Sequence, residues 1–363
     1  MEKKPLVTVL LPAYNAGKYI KTSIKSILSQ TYENFELLIM NDGSDDETER
    51  IVGAFHDSRI RYVRNETNQG LVWALNRGLA LAKGDLVARQ DADDISYPER
   101  LAKQVSYMVE NEETVLLGAQ GVVVDEDGQN VNVGFYDKPE TQAGIRWRLC
   151  FDNAFIHTSV MFRKKVILDE FKGYREFTSL KSRSPAQDFE LWSRIAKDRK
   201  VANLPDVLVK CREHAQSVSS SLSGEKGRIA EEGNFEIIES NVKNVFGFDT
   251  YSDDQIKLIS QLRYSIAGDD YVKALTLLDN MVSKYIARFP EAKGDAEFAE
   301  GVAMQLANMA YSYLGKNNLA AIRVYTRSAR YRPGLMFRWP WAKIVILLFF
   351  GEGFRKIYRR WKK

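Results

Sequence analysis

"LVTVLLPAYNAGKYIKTSIKSILSQ", residues 6–30, decides how the rest of the chain is read. An apolar run of strand length is followed by a stretch in which Ile20, Ile24, Ile27 and Leu28 share one helical face. The same alternation then repeats. "FELLIM" reads as a strand, "DGSDDETERIV" opens a helix, "IRYVRN" is a strand, "LVWALNRGLALAK" is a helix with Val72, Leu75, Leu79 and Ala82 in register, and "DLVARQ" is a strand again. Repeated βα units predict an α/β fold, a mostly parallel sheet flanked by helices. Ligands of such sheets sit beyond the carboxyl ends of the strands. Tyr14 with Asn15, Asn41 with Asp42, and Asp91 to Asp94 each follow a strand, so all three polar clusters are expected on one edge of one sheet.

The last cluster poses a physical problem. "ARQDADDISYPERL", residues 88–101, puts three aspartates into four positions. At an effective dielectric of ~20, two like charges at ~4 Å repel by ~4 kcal/mol. A solvated loop is the plain reading. A calcium EF-hand is excluded, because its sixth loop position needs Gly and the residue counted from Asp91 is Ser96. A divalent ion offsets such repulsion, and hard carboxylate oxygens suit Mg²⁺ or Mn²⁺. Mg²⁺ takes only one or two carboxylates and completes its shell with substrate phosphates, so a phosphate-bearing substrate is the expected partner.

The 363 residues, 45% hydrophobic and 28% charged, suffice for more than one core. Two cysteines, Cys150 and Cys211, make neither a disulfide framework nor a zinc site, and a reducing compartment is expected. Pro5, Pro12 and Asn15 interrupt the N-terminal apolar run, which therefore reads as a strand and not as a signal peptide. "LLGAQGVVVDEDGQNVNVG" reads as two strands around a turn at Asp127-Gly128, with Asp125, Glu126 and Asp127 as turn residues. The Ser/Gly-rich "SVSSSLSGEKG", 217–227, is the expected boundary between a domain of residues 1–222 and a helical domain of 223–332 that is weakly TPR-like. The net charge of +4 is uneven: residues 336–363 carry +7, leaving −3 for the rest. Trp339, Trp341, Ile344, Val345 and Leu348 give an apolar face beside "RKIYRRWKK", so 333–363 is expected to be a basic amphipathic tail on an anionic membrane surface. A helix packed on the body or on a second copy is the alternative. Nucleic acid is not an expected partner, since the basic residues are confined to this tail.

Several segments, in order, resemble family 2 glycosyltransferases, whose fold is usually called GT-A: "VTVLLPAYNAGKYI", "LLIMNDGSDDET", "NQGLVWALNRGLALAKGDLVARQDADD", "VVVDEDG", "FIHTSVMFRKKV", "QDFELWSRI" and "VKCREHAQSVS". The resemblance spans roughly Val7 to Ser221 and implies a GT-A domain ahead of the helical C-terminal region. It implies that Pro12, Tyr14 and Asn15 line the base and ribose of a nucleotide-sugar, that Asp42 accepts from the base edge, and that Asp91 lies near the ribose. Asp93 and Asp94 would bind the Mg²⁺ or Mn²⁺ that bridges the diphosphate, with His214 near the metal or diphosphate. In "QDFELWSRI" the family usually has Glu-Asp, and that Asp takes the acceptor's proton. Asp188 holds the place here, but Gln187 replaces the Glu, which leaves open what the base leans on.

The chemistry suits these parts. A leaving nucleoside diphosphate gains negative charge where a metal clamp acts. A hydroxyl needs a carboxylate to remove its proton, a contribution of ~10²–10⁴ in rate. One carboxylate opposite the leaving group gives single displacement with inversion. The expected activity is an inverting, metal-dependent transfer from a nucleotide-sugar donor, UDP-linked, to a saccharide or lipid-linked acceptor in cell-surface polysaccharide synthesis. The expected place is cytoplasmic, peripheral on the inner face of the plasma membrane. A nucleotidyltransferase of related fold is one alternative, although "AYNAG" lacks that class's glycine-rich basic loop; a non-catalytic sugar-nucleotide scaffold is another. Residue by residue the plain readings stay open. Asp188 suits a helix N-cap as well as a base. His157 is a hydrogen-bonded core residue or a sugar-site lining, and His214 is structural or a ligand. His56 is surface. Trp73, Trp147 and Phe151 stack on sugars or fill a core.

Overall fold

The computed structural model describes residues 4–176, 186–214, 224–262, 271–313, 318–328 and 330–331. The Ser/Gly-rich stretch up to 223 and the basic tail of 333–363 lie outside the described residues. The chain divides into two compact units, one from Met1–Gln142 with Asn153–Asn234, the other from Ala143–Asp152 with Phe235–Lys363.

In the first unit, β1 (Val7–Ala13) is buried along its whole length, as continuous apolar strands are in a sheet covered on both faces. α1 (Ile20–Leu28) lays Ile20, Ile24 and Ile27 into the core. β2 (Phe35–Asn41), α2 (Thr48–Gly53), β3 (Ile60–Arg64), α3 (Leu71–Leu81) and β4 (Leu86–Arg89) continue the alternation. The buried face of α3 is Ala74, Leu75, Gly78 and Leu79; of the expected register Leu75, Leu79 and the following Ala82 are buried and Val72 is half-buried. Gly78, which the apolar register leaves out, lies against Leu10 of β1. A Cβ there would stand 2.3 Å from Leu10 Cδ1, so only glycine lets the helix come this close to β1.

After the two-residue β5 (Ile95–Ser96) come α4 (Arg100–Glu110), the long β6 (Thr114–Val124) and β7 (Asn130–Tyr136); α5 (Gln142–Leu149) follows in the chain but falls, from Ala143 on, in the second unit. β8 (Met161–Arg163), α6 (Lys164–Asp169), α7 (Gln187–Asp198) and β9 (Lys200–Arg212) complete the unit. α4 buries Leu101, Val105 and Met108, as its spacing predicts. The β6–β7 turn is built as expected: Asp125 Oδ1 accepts the N–H groups of Asp127 and Gln129, and Gly128 sits at φ +81°.

The strand order is β3-β2-β1-β4-β8-β6-β9-β5, with β7 paired to β6. β1, β2, β3 and β4 pair in parallel, as do β6 and β9. β8 runs antiparallel between β4 and β6, which brings β6 back into the direction of β4. The carboxyl ends of β1, β2, β4, β6 and β9 therefore share one edge. This is the α/β, mostly parallel arrangement the sequence predicts, flanked by helices and followed by a helical region.

The second unit contains the last part of α8 (Gly224–Phe246), then α9 (Asp253–Gln261), α10 (Tyr271–Arg288), α11 (Ala296–Tyr313) and α12 (Asn318–Ser328). Ser252 caps α9, with Gln255 reaching back in a capping box. The segment 143–152 belongs to this unit. Trp147 lies edge-on to Phe151, Tyr285 and Phe298 at centroid distances of 5.2, 5.2 and 5.1 Å. Tyr285 Oη donates to the Ala143 carbonyl at 2.7 Å, and Asn241 Nδ2 donates to that of Leu149 at 2.7 Å. Gly301 leaves room for the indole, since a Cβ there would stand 2.7 Å from Trp147 Cδ1. Trp147 and Phe151 are thus core residues of the helical unit and not sugar-stacking surfaces. Among the described residues no helix is long and apolar enough to cross a membrane.

Candidate active site

The three polar clusters expected on one sheet edge meet there. Past the end of β1, Tyr14 is 49% exposed and Asn15 adopts the left-handed conformation at φ 49°. Asn tolerates that backbone because its short side chain bonds locally. Asn15 N–H donates to Ser44 Oγ at 3.0 Å, and Asn15 Oδ1 accepts the Asp45 N–H at 3.1 Å. Ala16 N–H bonds Thr48 Oγ1 at 2.9 Å and Gly17 N–H bonds Asp46 Oδ2 at 2.8 Å, so the loops after β1 and β2 are zipped together. Pro12 is buried within β1, opposite Met40.

Asp42 is only 4% exposed. Its Oδ1 accepts Asn65 Nδ2 (2.6 Å) and Gln69 N–H (3.0 Å), and its Oδ2 accepts Gly70 N–H (2.8 Å). The carboxylate thereby pins the 65–70 loop at the start of α3, with Oδ2 retaining a lone pair for one further donor.

The acidic loop is held from below. Arg89, the last residue of β4, is 1% exposed and forms an ion pair with Asp91, whose side chain is a third exposed. Arg100, fully buried, donates to Gln90 Oε1 and Ser96 Oγ at 2.9 Å each and to the Arg89 carbonyl at 2.7 Å. Its guanidinium is lowered to about 9, by burial first and then by the charge of Arg89. Arg212, at the end of β9, donates from Nε to the Asp93 carbonyl (2.9 Å) and from its backbone N–H to Asp94 Oδ1 (2.8 Å), and from Nη1 to the carbonyls of Asp125 and Glu126. Of the three arginines only Arg89 pairs with a carboxylate, while Arg100 and the side chain of Arg212 bind the loop and its surroundings through neutral oxygens. The repulsion is therefore met only in part, and the carboxyls of Asp91 and Asp94 both stand above the usual range. An arginine ending an otherwise apolar strand, "LVAR", is the signal that points to the Arg89 pair.

Asp93 remains partly open, and its Oδ2 lies 3.0 Å from His214 Nε2. Tyr19 steadies that imidazole at a ring distance of 4.7 Å while also stacking under Arg212. Asp94, by contrast, is 6% exposed and holds the loop against β9 through Arg212. Burial, then Asp91 and Asp93, raise its carboxyl well above the usual range. Two ligands about 2.1 Å from one divalent ion at a right angle have donor atoms ~3 Å apart. The Asp93–His214 contact is a hydrogen bond of that same length, so the two groups are spaced as adjacent ligands would be once the shared proton is lost. Among the described residues no group of three or more metal-ligating side chains forms, and Mg²⁺-type ions need few protein ligands when phosphates complete the shell.

Asp188 lies in the first turn of α7, whose N-cap position is Ala186 and not Asp188. Its Oδ2 accepts Asn153 Nδ2 at 2.8 Å. Burial raises its carboxyl, while the Phe189 N–H, Asn153 and Arg89 pull it back. His157 is kept neutral by burial and by Arg89; its Nε2 meets Tyr174 Oη at 3.2 Å and its ring packs beside Trp192. Arg89 acts electrostatically on both Asp91 and Asp188, which makes it the common neighbour of the acidic loop and the helix start. His56 is exposed, and Trp73 is 39% exposed with Arg77 over its ring at 5.1 Å.

A family model described as "Glycosyl transferase family 2" matches residues 8–171. The chain is 35% identical over 221 residues to a putative glycosyltransferase, EpsE, of Bacillus subtilis, covering 60% of this chain and 76% of that one. It is 33% identical to the O-antigen biosynthesis glycosyltransferase WbnJ of Escherichia coli (60% and 83%). It is 32% identical to WfgD of Escherichia coli, named a UDP-Glc:α-D-GlcNAc-diphosphoundecaprenol β-1,3-glucosyltransferase (60% and 80%). The fold matches that of S. aureus TarS 1–349 in complex with UDP-GlcNAc, with a TM-score of 0.51 at 17% identity, over 92% of this chain and 93% of that one.

Proposed function

The chain belongs to glycosyltransferase family 2, and from that premise we propose that it moves a sugar from a UDP-linked donor to a hydroxyl of a saccharide or lipid-linked acceptor with inversion. That it is a glycosyltransferase follows from the family; donor, acceptor and stereochemistry are our reading. The observation that carries it is the pairing of Asp93 with His214 on the same sheet edge as Tyr14, Asn15 and Asp42, with Asp188 within electrostatic reach of the same Arg89 that pairs with Asp91. Tyr14, Asn15 and Pro12 bind base and ribose beside Asp42, and Asp91 orients the ribose. Asp93 and His214 would hold Mg²⁺ or Mn²⁺, with the buried Asp94 behind them. When bound, the ion supplies charge to offset the departing diphosphate. Asp188 takes the proton of the attacking hydroxyl, and neutral His157 borders the sugar. The names of WbnJ and WfgD support a role in surface polysaccharide synthesis.

Calorimetric titration with UDP and Mn²⁺ tests the donor side. Wild type is expected to bind and Asp93→Asn to bind at least ~10-fold more weakly, ~1.4 kcal/mol, with the two equal in EDTA. Failure of wild type to bind any nucleoside diphosphate with either ion removes the proposal. The sequence of the basic tail supports a cytoplasmic, membrane-peripheral location. A chain lacking 336–363 is expected to lose its partition onto anionic vesicles; unchanged partition refutes that part alone.

A further inference from the structure

We infer that Asn153 is a positioning residue for Asp188, holding its carboxylate in place and in the ionised form. The inference rests on the reading of Asp188 as the base. Its geometry is independent of that reading. Asn153 Oδ1 accepts the backbone N–H of Phe155 at 3.1 Å. Phe155 is buried and lies edge-on to Trp192 at 6.2 Å, so this N–H is a fixed donor. An amide whose oxygen is held by a backbone N–H cannot turn over without losing that bond. Nδ2 is therefore committed to the Asp188 side, and it donates to Oδ2 at 2.8 Å. The Asn153 carbonyl in turn accepts Lys138 Nζ at 2.8 Å, fixing the backbone as well.

A donor aimed at a carboxylate favours its charged form. Asp188 sits where burial opposes ionisation, so such a donor has an effect to exert. Among the described residues, the charged and titratable groups acting on it are Arg89 of β4, which favours ionisation, and Tyr174, which follows α6. Gln187, the preceding residue, brings no charge. Asn153 thus supplies the hydrogen-bond partner that the sequence leaves unassigned.

Asn153→Asp is the informative variant because it is isosteric. It keeps an oxygen for the Phe155 N–H and turns the donor facing Asp188 into a second carboxylate. The Asp188 carboxyl, followed by NMR in selectively labelled full-length protein, is expected to titrate at least about one unit higher, a tenfold change in its ionisation equilibrium. In the transfer assay kcat is expected to fall at least ~10-fold near neutral pH with the donor KM unchanged, and the acid limb of the kcat profile to move up with the titration. Asn153→Ala, which adds no like charge, is expected to shift both in the same direction by less, and it decides the matter if Asn153→Asp fails to fold. An Asp188 titration unmoved in the folded variants overturns the inference. A moved titration with unchanged transfer leaves Asn153's role intact and refutes Asp188 as the base.

Discussion

Asp188→Asn is expected to lower kcat for sugar transfer by about 10²–10⁴, the range a positioned general base supplies, while UDP affinity and donor KM stay within a few-fold of wild type. The amide is isosteric, and its oxygen can still accept from Asn153 Nδ2, so the fold has no reason to change. An acceptor hydroxyl brought to this position would then keep its proton through the step in which the diphosphate leaves. The pH dependence follows from the environment. Burial raises the Asp188 carboxyl above the ordinary aspartate range, so activity that needs the ionised form is present above that raised value and falls as the pH drops through it. Steady-state kinetics across pH with a UDP-sugar and a fixed acceptor measures both. Undiminished turnover in Asp188→Asn would assign the proton to another group.

Arg89→Met is expected to cost about 3 kcal/mol, the lower end of what removing one partner of a buried ion pair costs. The lower end applies because Asp91 is a third exposed and water screens part of its charge. The corresponding fall in melting temperature is roughly 6–12 °C. Arg89 faces more than Asp91: its charge also favours the ionised forms of Asp94 and Asp188. Its loss therefore exposes the acidic loop to its own repulsion and weakens UDP–Mn²⁺ binding at the same time. Combining Arg89→Met with Asp91→Asn is expected to restore part of the stability, since the double variant no longer leaves the Asp91 carboxylate facing an empty place. Thermal unfolding of the two single variants and the double variant closes the cycle. Strict additivity would show that the pair is not coupled.

How much of this was legible in the sequence depended on whether each signal is local. β1, β2 and β4 are buried apolar runs followed by polar residues, and that pattern alone brings Asn15, Asp42 and Asp91 to one edge. The acidic loop announces itself by composition, but the arginines that hold it do not. Arg89 and Arg100 flank it within an apolar strand and a helix, and Arg212 arrives from over a hundred residues away on β9. Periodicity sees a lone arginine in an apolar stretch only as an interruption. Asn153 and Asp188 meet across 35 positions, a pairing no spacing rule contains. On α3 hydrophobic counting finds Leu75, Leu79 and Ala82 but gives Gly78 no weight, whereas packing sets that glycine against Leu10.

Trp147 carries the same lesson into the chain's larger architecture. It lies in the middle of the sequence that resembles a glycosyltransferase, yet Tyr285 and Phe298 enclose it. The helical region is therefore stitched to the chain at two seams and not appended at one. A shortened version ending near residue 222 would leave a bulky apolar stretch with no shelter, and a swap of C-terminal modules between relatives must carry 143–152 along with the helices that surround it.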